Sequence, residues 1–431
     1  RVSGSISQSF MMKPTERSSL RLHHIVALYV GSVLGCGVLI LPGLSAEIAG
    51  PGSLLSWIFI IVLAFPMALT MGFLSARFPN DGGVSYFVTL AFNEQLGALI
   101  GWFFLVSGII GVPILALTGA GYIAAAYGLS EAVRILIAIS IILGGLFLNY
   151  IGMRVSSQVQ IIVALGTICI LLGACIGSYR IVDPSHFTPL IPHGWMSIGY
   201  AATLLFWSYI GWEAVTHIAE EFEDPKRDVV RGTIIASIII GSLYLLTAYV
   251  VVGTHMYGPG ISDISLVYLI EKSFGQSGMI LTGMAGLFVC LAPSISYIGA
   301  ASRLSYSLAV TGYAPSFLAR LSKRYYTHIG GLIFLAGCFS VIFILYSTGL
   351  ISLAFLIQLP NSTFILTYIG GCAAGMVLLK DSRCALFMSG ISLILTSCIL
   401  LFISWAILFP IGIILIWGIF LMRRRKKWVT C

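Results

Sequence analysis

Glu213 and, four positions on, His217 are the residues of one long apolar stretch equipped for acid–base chemistry. That spacing sets both side chains on one face of a helix. An ionisable group inside an apolar run is costly enough that function is its first explanation. The pair is expected to relay a proton toward Glu220 and Glu221. In the plainer alternative, Glu213 accepts hydrogen bonds from backbone that has left the helix, and His217 is a satisfied structural histidine.

The second chemical resource is backbone. Gly31, Gly35 and Gly37 fall within twelve apolar-run residues, Gly31-Ser-Val-Leu-Gly-Cys-Gly-Val-Leu-Ile-Leu-Pro42. Each glycine weakens a helix by roughly 1 kcal/mol relative to alanine, so an interruption is predicted there. In lipid the freed N–H and C=O groups need new partners, so a break survives only where protein buries it or where it lines a cavity. Phe206-Trp-Ser-Tyr-Ile-Gly-Trp-Glu213 reads as a second interruption. A helix starting near Gly37 offers N–H groups and a positive dipole end to a carboxylate, and helices ending near Val33 and Tyr209 offer carbonyls to an ammonium. A free amino acid presents both charges, and no charged side chain is needed to compensate them.

The substrate-binding candidates are therefore Gly31, Ser32, Val33, Gly35, Cys36 and Gly37 at the first break and Trp207, Tyr209 and Ile210 at the second, with Val112 from the third apolar run. The alternative for Gly31 and Gly35 is a small-residue packing face between helices. Trp207 is expected to gate the site, and Trp212 and Tyr297 divide between gating and packing. Ser294 and Ser296 are weak candidates for a sodium ion, set against the commoner role of satisfied hydroxyls in membrane helices.

The elements that must position these residues follow from composition. Of 431 residues, 58% are hydrophobic and 9% charged, with apolar runs that reach the ~20 residues needed to cross a bilayer. The fold class is an all-α polytopic membrane protein. Twelve spans are predicted, near 23–49, 53–78, 97–127, 131–150, 154–178, 196–219, 229–256, 277–305, 328–347, 350–379, 384–402 and 404–422. Spans 1 to 5 (23–178) and 6 to 10 (196–379) each open on an interrupted helix; because five is odd, they form a 5+5 inverted repeat. Residues 179–195 form an extracellular loop, 380–422 hold two additional helices, and 423–431 form a basic tail. The stretch 257–276 is either a gate lying over the mouth or a linker.

With a cytoplasmic N-terminus, 20 of the 23 basic residues face inward, and only Arg134, Arg180 and Lys272 face out. This positive-inside bias puts both termini in the cytoplasm, in the cytoplasmic (inner) membrane, and accounts for the net charge of +8 without nucleic acid. Residues 1–22 are polar, without the apolar segment of a secretory signal. They are expected to be a cytoplasmic tail partly foreign to the native chain, with the native start at Met11 or Met12. The nine cysteines contain no CxxC pair, so neither a disulfide framework nor a zinc site is expected.

These residues resemble the amino acid permeases of the amino acid–polyamine–organocation superfamily, and most of all its bacterial efflux branch, which exports methionine and branched-chain amino acids. The likeness runs over residues 23 to 422. It is carried by Gly31-Ser-Val-Leu-Gly-Cys-Gly-Val with Pro42, by Phe206 to Glu213, by Glu-Asp-Pro-Lys-Arg at 223–227 and by Ala301 to Pro315. The resemblance implies the LeuT-like fold and a carboxylate held by N–H groups around Cys36 and Gly37. It implies an ammonium held by the carbonyls of Val33, Trp207 and Ile210, gates at Trp207 and Tyr297, and a pH-linked Glu213. Two departures matter. Some relatives carry a lysine in span 5, but Gln158 to Gly177 holds no charge; and span 3 reads Val112-Pro-Ile-Leu-Ala where relatives that take charged substrates are polar.

The expected function is secondary transport of neutral, hydrophobic L-amino acids by alternating access, with exporter, exchanger and proton-linked permease all open. The alternatives are an amino acid sensor of the same fold and a permease for cationic amino acids or polyamines. No HExxH, no Gly-x-Ser-x-Gly and no nucleotide-binding loop is present, so neither an enzyme nor a cofactor is expected. The expected partners are an amino acid, protons and the lipid bilayer, without an obligate protein.

Overall fold

A computed structural model of the chain describes residues 20–35, 37–218, 222–259, 261–262, 265–275, 278–351, 353–400 and 405–429. The chain runs through α1 (Leu22–Val33), α2 (Gly37–Ala49), α3 (Ser53–Arg77), α4 (Val84–Ala91), α5 (Glu94–Tyr127), α6 (Glu131–Ile151), α7 (Met153–Ser178) and α8 (Trp195–Leu205). It continues through α9 (Trp212–Thr216), α10 (Val230–Gly253), α11 (Ser265–Phe274), α12 (Gly278–Val310), α13 (Ile329–Ser347), α14 (Leu353–Leu378), α15 (Arg383–Leu400) and α16 (Leu408–Val429). Among the described residues nine stretches are long and apolar enough to cross a membrane, and α1 and α16 are shorter apolar helices. The expected first and sixth spans are the interrupted ones, α1/α2 and α8/α9, whose pieces are each short.

The centre of the bundle is α5 packed along α12, with α14, α6 and α4 against its other faces. The 34-residue α5 begins where the Asn93 side chain accepts the Leu96 N–H, and it ends at Gly128, whose φ of 60° is the left-handed cap that glycine adopts without steric cost. α1 lies among α7, α10 and α12, and α2 lies between α8 and α10. The periphery is apolar outward: Leu136, Leu143 and Phe147 of α6, Ile333 and Ile344 of α13, and Leu415 and Ile416 of α16 are all exposed. So much contiguous exposed hydrocarbon is a surface for lipid.

Several elements differ from the sequence expectation. α12 runs to Val310 rather than ending near 305, taking in the first ten residues of the 301–315 segment. Its polar residues do not end it because they find partners there: Ser302 and Ser305 donate to the carbonyls of Gly299 and Ser302 in the same helix, and Arg303 donates through Nη1 to Gly299 O and faces Asp81 through Nε. α4 is an additional helix between the second and third predicted spans, and α11, in the stretch 257–276, buries Leu266, Leu269 and Ile270 against α2, α7 and α12. Residues 1–19, Cys36, Glu220 and Glu221 lie outside the described residues. Beyond the membrane core the chain ends of α1 and α9 are joined: Leu20 pairs with Phe222, Glu223 N–H donates to Leu20 O (3.1 Å), and Arg21 Nε bonds Glu223 Oε2 (3.1 Å).

Candidate functional site

Both predicted interruptions are present, and they meet. α1 ends at Val33; the Gly35 N–H turns back to Val33 O (2.7 Å), and helix resumes at Gly37. α8 ends at Leu205, a single tight turn covers Phe206–Tyr209, Ile210 is extended, and Gly211 takes φ 140° before α9 begins. A Cβ on Gly211 would lie 2.7 Å from the Ser32 carbonyl oxygen, so glycine is required there by its backbone angle and by the close approach of the other break.

Two groups hold the breaks. The Tyr244 hydroxyl on α10 lies within hydrogen-bonding distance of Val33 O (2.9 Å) and Ser208 O (2.7 Å), one from each break. The buried Glu213 carboxylate accepts the Gly211 N–H (3.0 Å), the Tyr297 hydroxyl (2.7 Å) and the Tyr368 hydroxyl. These donors fit the plainer expectation for Glu213, a brace for loose backbone. The Val33 carbonyl, assigned by resemblance to an ammonium, already accepts Gly35 N–H and shares the single Tyr244 hydroxyl hydrogen with Ser208 O.

Between the breaks lies a small cavity of about 30 Å³, room for one or two waters in this conformation. Ser32, Val33, Gly35 and Gly37 border it from the first break, and Trp207, Ser208 and Ile210 from the second. α5 contributes Ser107, Gly108, Gly111 and Leu115; α12 and α14 contribute Pro293, Tyr297 and Phe364. Among the described residues no lining side chain is acidic or basic. Phe364 meets Trp207 edge-on at 6.5 Å and Tyr297 at 5.7 Å, so an aromatic wall runs from the sixth span to the eighth.

Other expected site residues lie elsewhere. Gly31 is a packing position, where a Cβ would stand 3.2 Å from Ala292 Cβ. Val112 is buried but does not border the cavity: α5 turns the 107, 108, 111 and 115 face inward, and Val112 lies beyond its edge, about 100° round the helix from Gly111. Tyr209 packs edge-on against Tyr244 at 5.1 Å. Ser294 and Ser296 do not converge: Ser294 donates to Cys290 O (2.7 Å), and Ser296 donates to Gln160 Oε1 (2.6 Å) beside a second, smaller space. Sequence reasoning missed Ser107, Gly108, Gly111, Ser208, Pro293 and Phe364; of these only the small-residue spacing of 107, 108 and 111 carries a readable signal.

His217 does not reach Glu213. Its Nδ1–H donates to the Asp81 carbonyl (2.9 Å) in the turn between α3 and α4, and its ring lies 4.6 Å from Phe104. The five-residue α9 has ended by then, so the expected helical face is not maintained. The Asp81 side chain in turn faces Arg303 Nε and His328 Nε2, each at 3.7 Å. Burial opposes its charge, but the bond from His328 and the fields of Arg303, His328 and His217 outweigh burial and hold the carboxyl below the ordinary range.

An apolar helical bundle with a small-molecule cavity at two facing helix breaks is the architecture of a membrane carrier. The amino acid permease family model matches residues 20–428, and the chain belongs to that family. It is 35% identical over 404 residues to YecA, an uncharacterized amino acid permease of Bacillus subtilis (strain 168), across 93% of this chain and 94% of YecA. It is 29% identical over 415 residues to the L-methionine/branched-chain amino acid exporter YjeH of Escherichia coli (strain K12), across 95% and 97%. The branched-chain amino acid permease BcaP of Bacillus subtilis (strain 168) is 25% identical over 325 residues, across 70% and 69%. The chain is thus a multi-span membrane transporter of the amino acid permease type rather than an enzyme.

Proposed function

We propose that this permease moves neutral, hydrophobic L-amino acids across the cytoplasmic membrane by alternating access, with both termini on the cytoplasmic side. The observation that carries the reading is the cavity lining: helix ends and glycine backbone on one part, Leu115, Pro293, Phe364 and Trp207 on the rest, and no charged side chain. Helix ends compensate a carboxylate and an ammonium. A cationic or anionic substrate side chain would enter the same cavity without a counter-charge. The likeness to YjeH and BcaP supports the same class, and the distribution of basic residues supports the orientation.

The carboxylate is assigned to the N–H groups that open α2 at Gly37, and gating to Trp207 with Tyr297. Glu213 acts as the brace of the second break. Counterflow of labelled leucine into liposomes holding only this protein, with unlabelled methionine, valine, alanine and arginine as competitors at two pH values, tests the reading. Competition by the neutral apolar amino acids and not by arginine is the expected result. Arginine competing as well as leucine sinks the neutral assignment, and binding without flux makes the protein a sensor.

A further inference from the structure

We infer that Gly111 of α5, aided by Gly108, sets the size of amino acid side chain the cavity admits. The inference rests on the reading under Proposed function and adds a size gauge to it. α5 holds several glycines inside a membrane helix, each weakening it by roughly 1 kcal/mol relative to alanine, so each needs a reason. For most, the reason is a neighbour. A Cβ on Gly97 would strike Thr89 Oγ1 at 1.9 Å, and on Gly101 it would meet Ser85 Oγ at 2.9 Å. On Gly119 it would meet the Gly286 carbonyl oxygen at 2.6 Å, and on Gly121 the Arg134 guanidinium at 3.2 Å.

Gly108 and Gly111 have no such neighbour. A Cβ at Gly108 meets only Ala301 Cβ, at 3.7 Å, and at Gly111 it meets nothing within 4 Å. Among the described residues Gly111 is the one buried glycine with that much room. Both border the cavity between the breaks. Alanine fits the protein at these positions and stabilises the helix, so what excludes it is something that occupies the cavity only part of the time.

A second observation marks the cavity as a ligand site. Ser32, at 2% exposure, borders it, and its hydroxyl finds no hydrogen-bond partner among the described residues. A buried hydroxyl without a partner is costly, and an amino acid headgroup supplies one. The two features divide the substrate: Ser32 serves the headgroup common to all amino acids, and the bare backbone at Gly108 and Gly111 widens the part of the cavity left for the side chain.

Initial uptake of labelled alanine and labelled leucine into proteoliposomes tests this, for wild type, Gly111→Ala, Gly111→Val, Gly108→Ala and Ser32→Ala. Gly173→Ala serves as the control, because its Cβ also meets nothing but Gly173 does not border the cavity. One methylene of misfit in an apolar pocket is worth roughly 10-fold or more. Gly111→Ala is therefore expected to lower kcat/KM for leucine by about 10-fold relative to alanine. Gly111→Val should remove leucine uptake and leave alanine, and Gly108→Ala should act in the same direction more weakly. Ser32→Ala should lower both substrates by the same factor, and Gly173→Ala should leave the ranking as it was. A rise in Tm for Gly111→Ala would show that α5 tolerates the methyl group, as one for Gly173→Ala would for α7. An unchanged leucine-to-alanine ratio in Gly111→Ala and Gly111→Val, with wild type transporting leucine, overturns this inference alone. Wild type that moves neither substrate overturns the neutral amino acid reading and this inference with it.

Discussion

Gly37 and Ser208 face each other across the two helix breaks so closely that a single carbon added at residue 37 would stand 3.0 Å from both Cα and Cβ of Ser208. Gly37 also opens α2, where unpaired N–H groups gather. Gly37→Val should therefore push the breaks apart and abolish leucine uptake in proteoliposomes while the protein still inserts and elutes as a single species. Uptake within a factor of two of wild type would remove Gly37 from the site.

Tyr244 joins the same two breaks through carbonyls rather than through packing. Tyr244→Phe leaves the buried Ser208 oxygen, and one position on Val33 O, without their phenol donor. The expected loss is about 1–3 kcal/mol, read as a lower Tm in detergent, with a rise in KM shared by all substrates. An unchanged Tm would mean that water replaces the hydroxyl.

Glu213 is surrounded by donors, and a carboxylate accepts from all of them. Glutamine sets an amide NH2 against a hydroxyl or N–H that also donates. Glu213→Gln should cost about 1–3 kcal/mol of stability and slow transport, with the shape of the rate-against-pH curve preserved. If the curve flattens while Tm holds, Glu213 carries a proton in the cycle and the brace assignment fails.

Asp81 gives a pH dependence with a definite sign. Its carboxyl is held below the ordinary range, so the contribution is complete above the unfolded value of about 4 and is lost as pH falls through the lower folded value. At neutral pH Asp81→Asn should lower Tm, by the equivalent of about 1–3 kcal/mol for a partly buried group that loses its partners. In acid the gap between variant and wild type should close. A gap that persists below the folded pKa would assign the effect to the shape of the turn and not to its charge.

Hydropathy and glycine made the bundle and its two interruptions legible, because lipid forbids unsatisfied backbone and so makes a break conspicuous. The length of α12 was hidden, since Ser302, Arg303 and Ser305 look like an exit from the membrane; the two serines are instead satisfied within their own helix, and Arg303 pairs with Asp81 from the turn between α3 and α4. The cavity face of α5 was misread by one residue: Val112 and Gly111 are neighbours in sequence, and helical rotation sends only one of them inward. The partners of Glu213 were out of reach altogether, because Tyr297 and Tyr368 stand 84 and 155 residues along the chain and no local pattern announces them.

The strand-like pairing of Leu20 with Phe222 has a mechanical meaning. α1 is fastened at its start by the Glu223 to Leu20 bond and the Arg21 to Glu223 ion pair, and near its end by the seat of Gly211 on Ser32. α1 is thus held at both ends by the segment that carries the second break, and a displacement of that segment is expected to carry α1 with it.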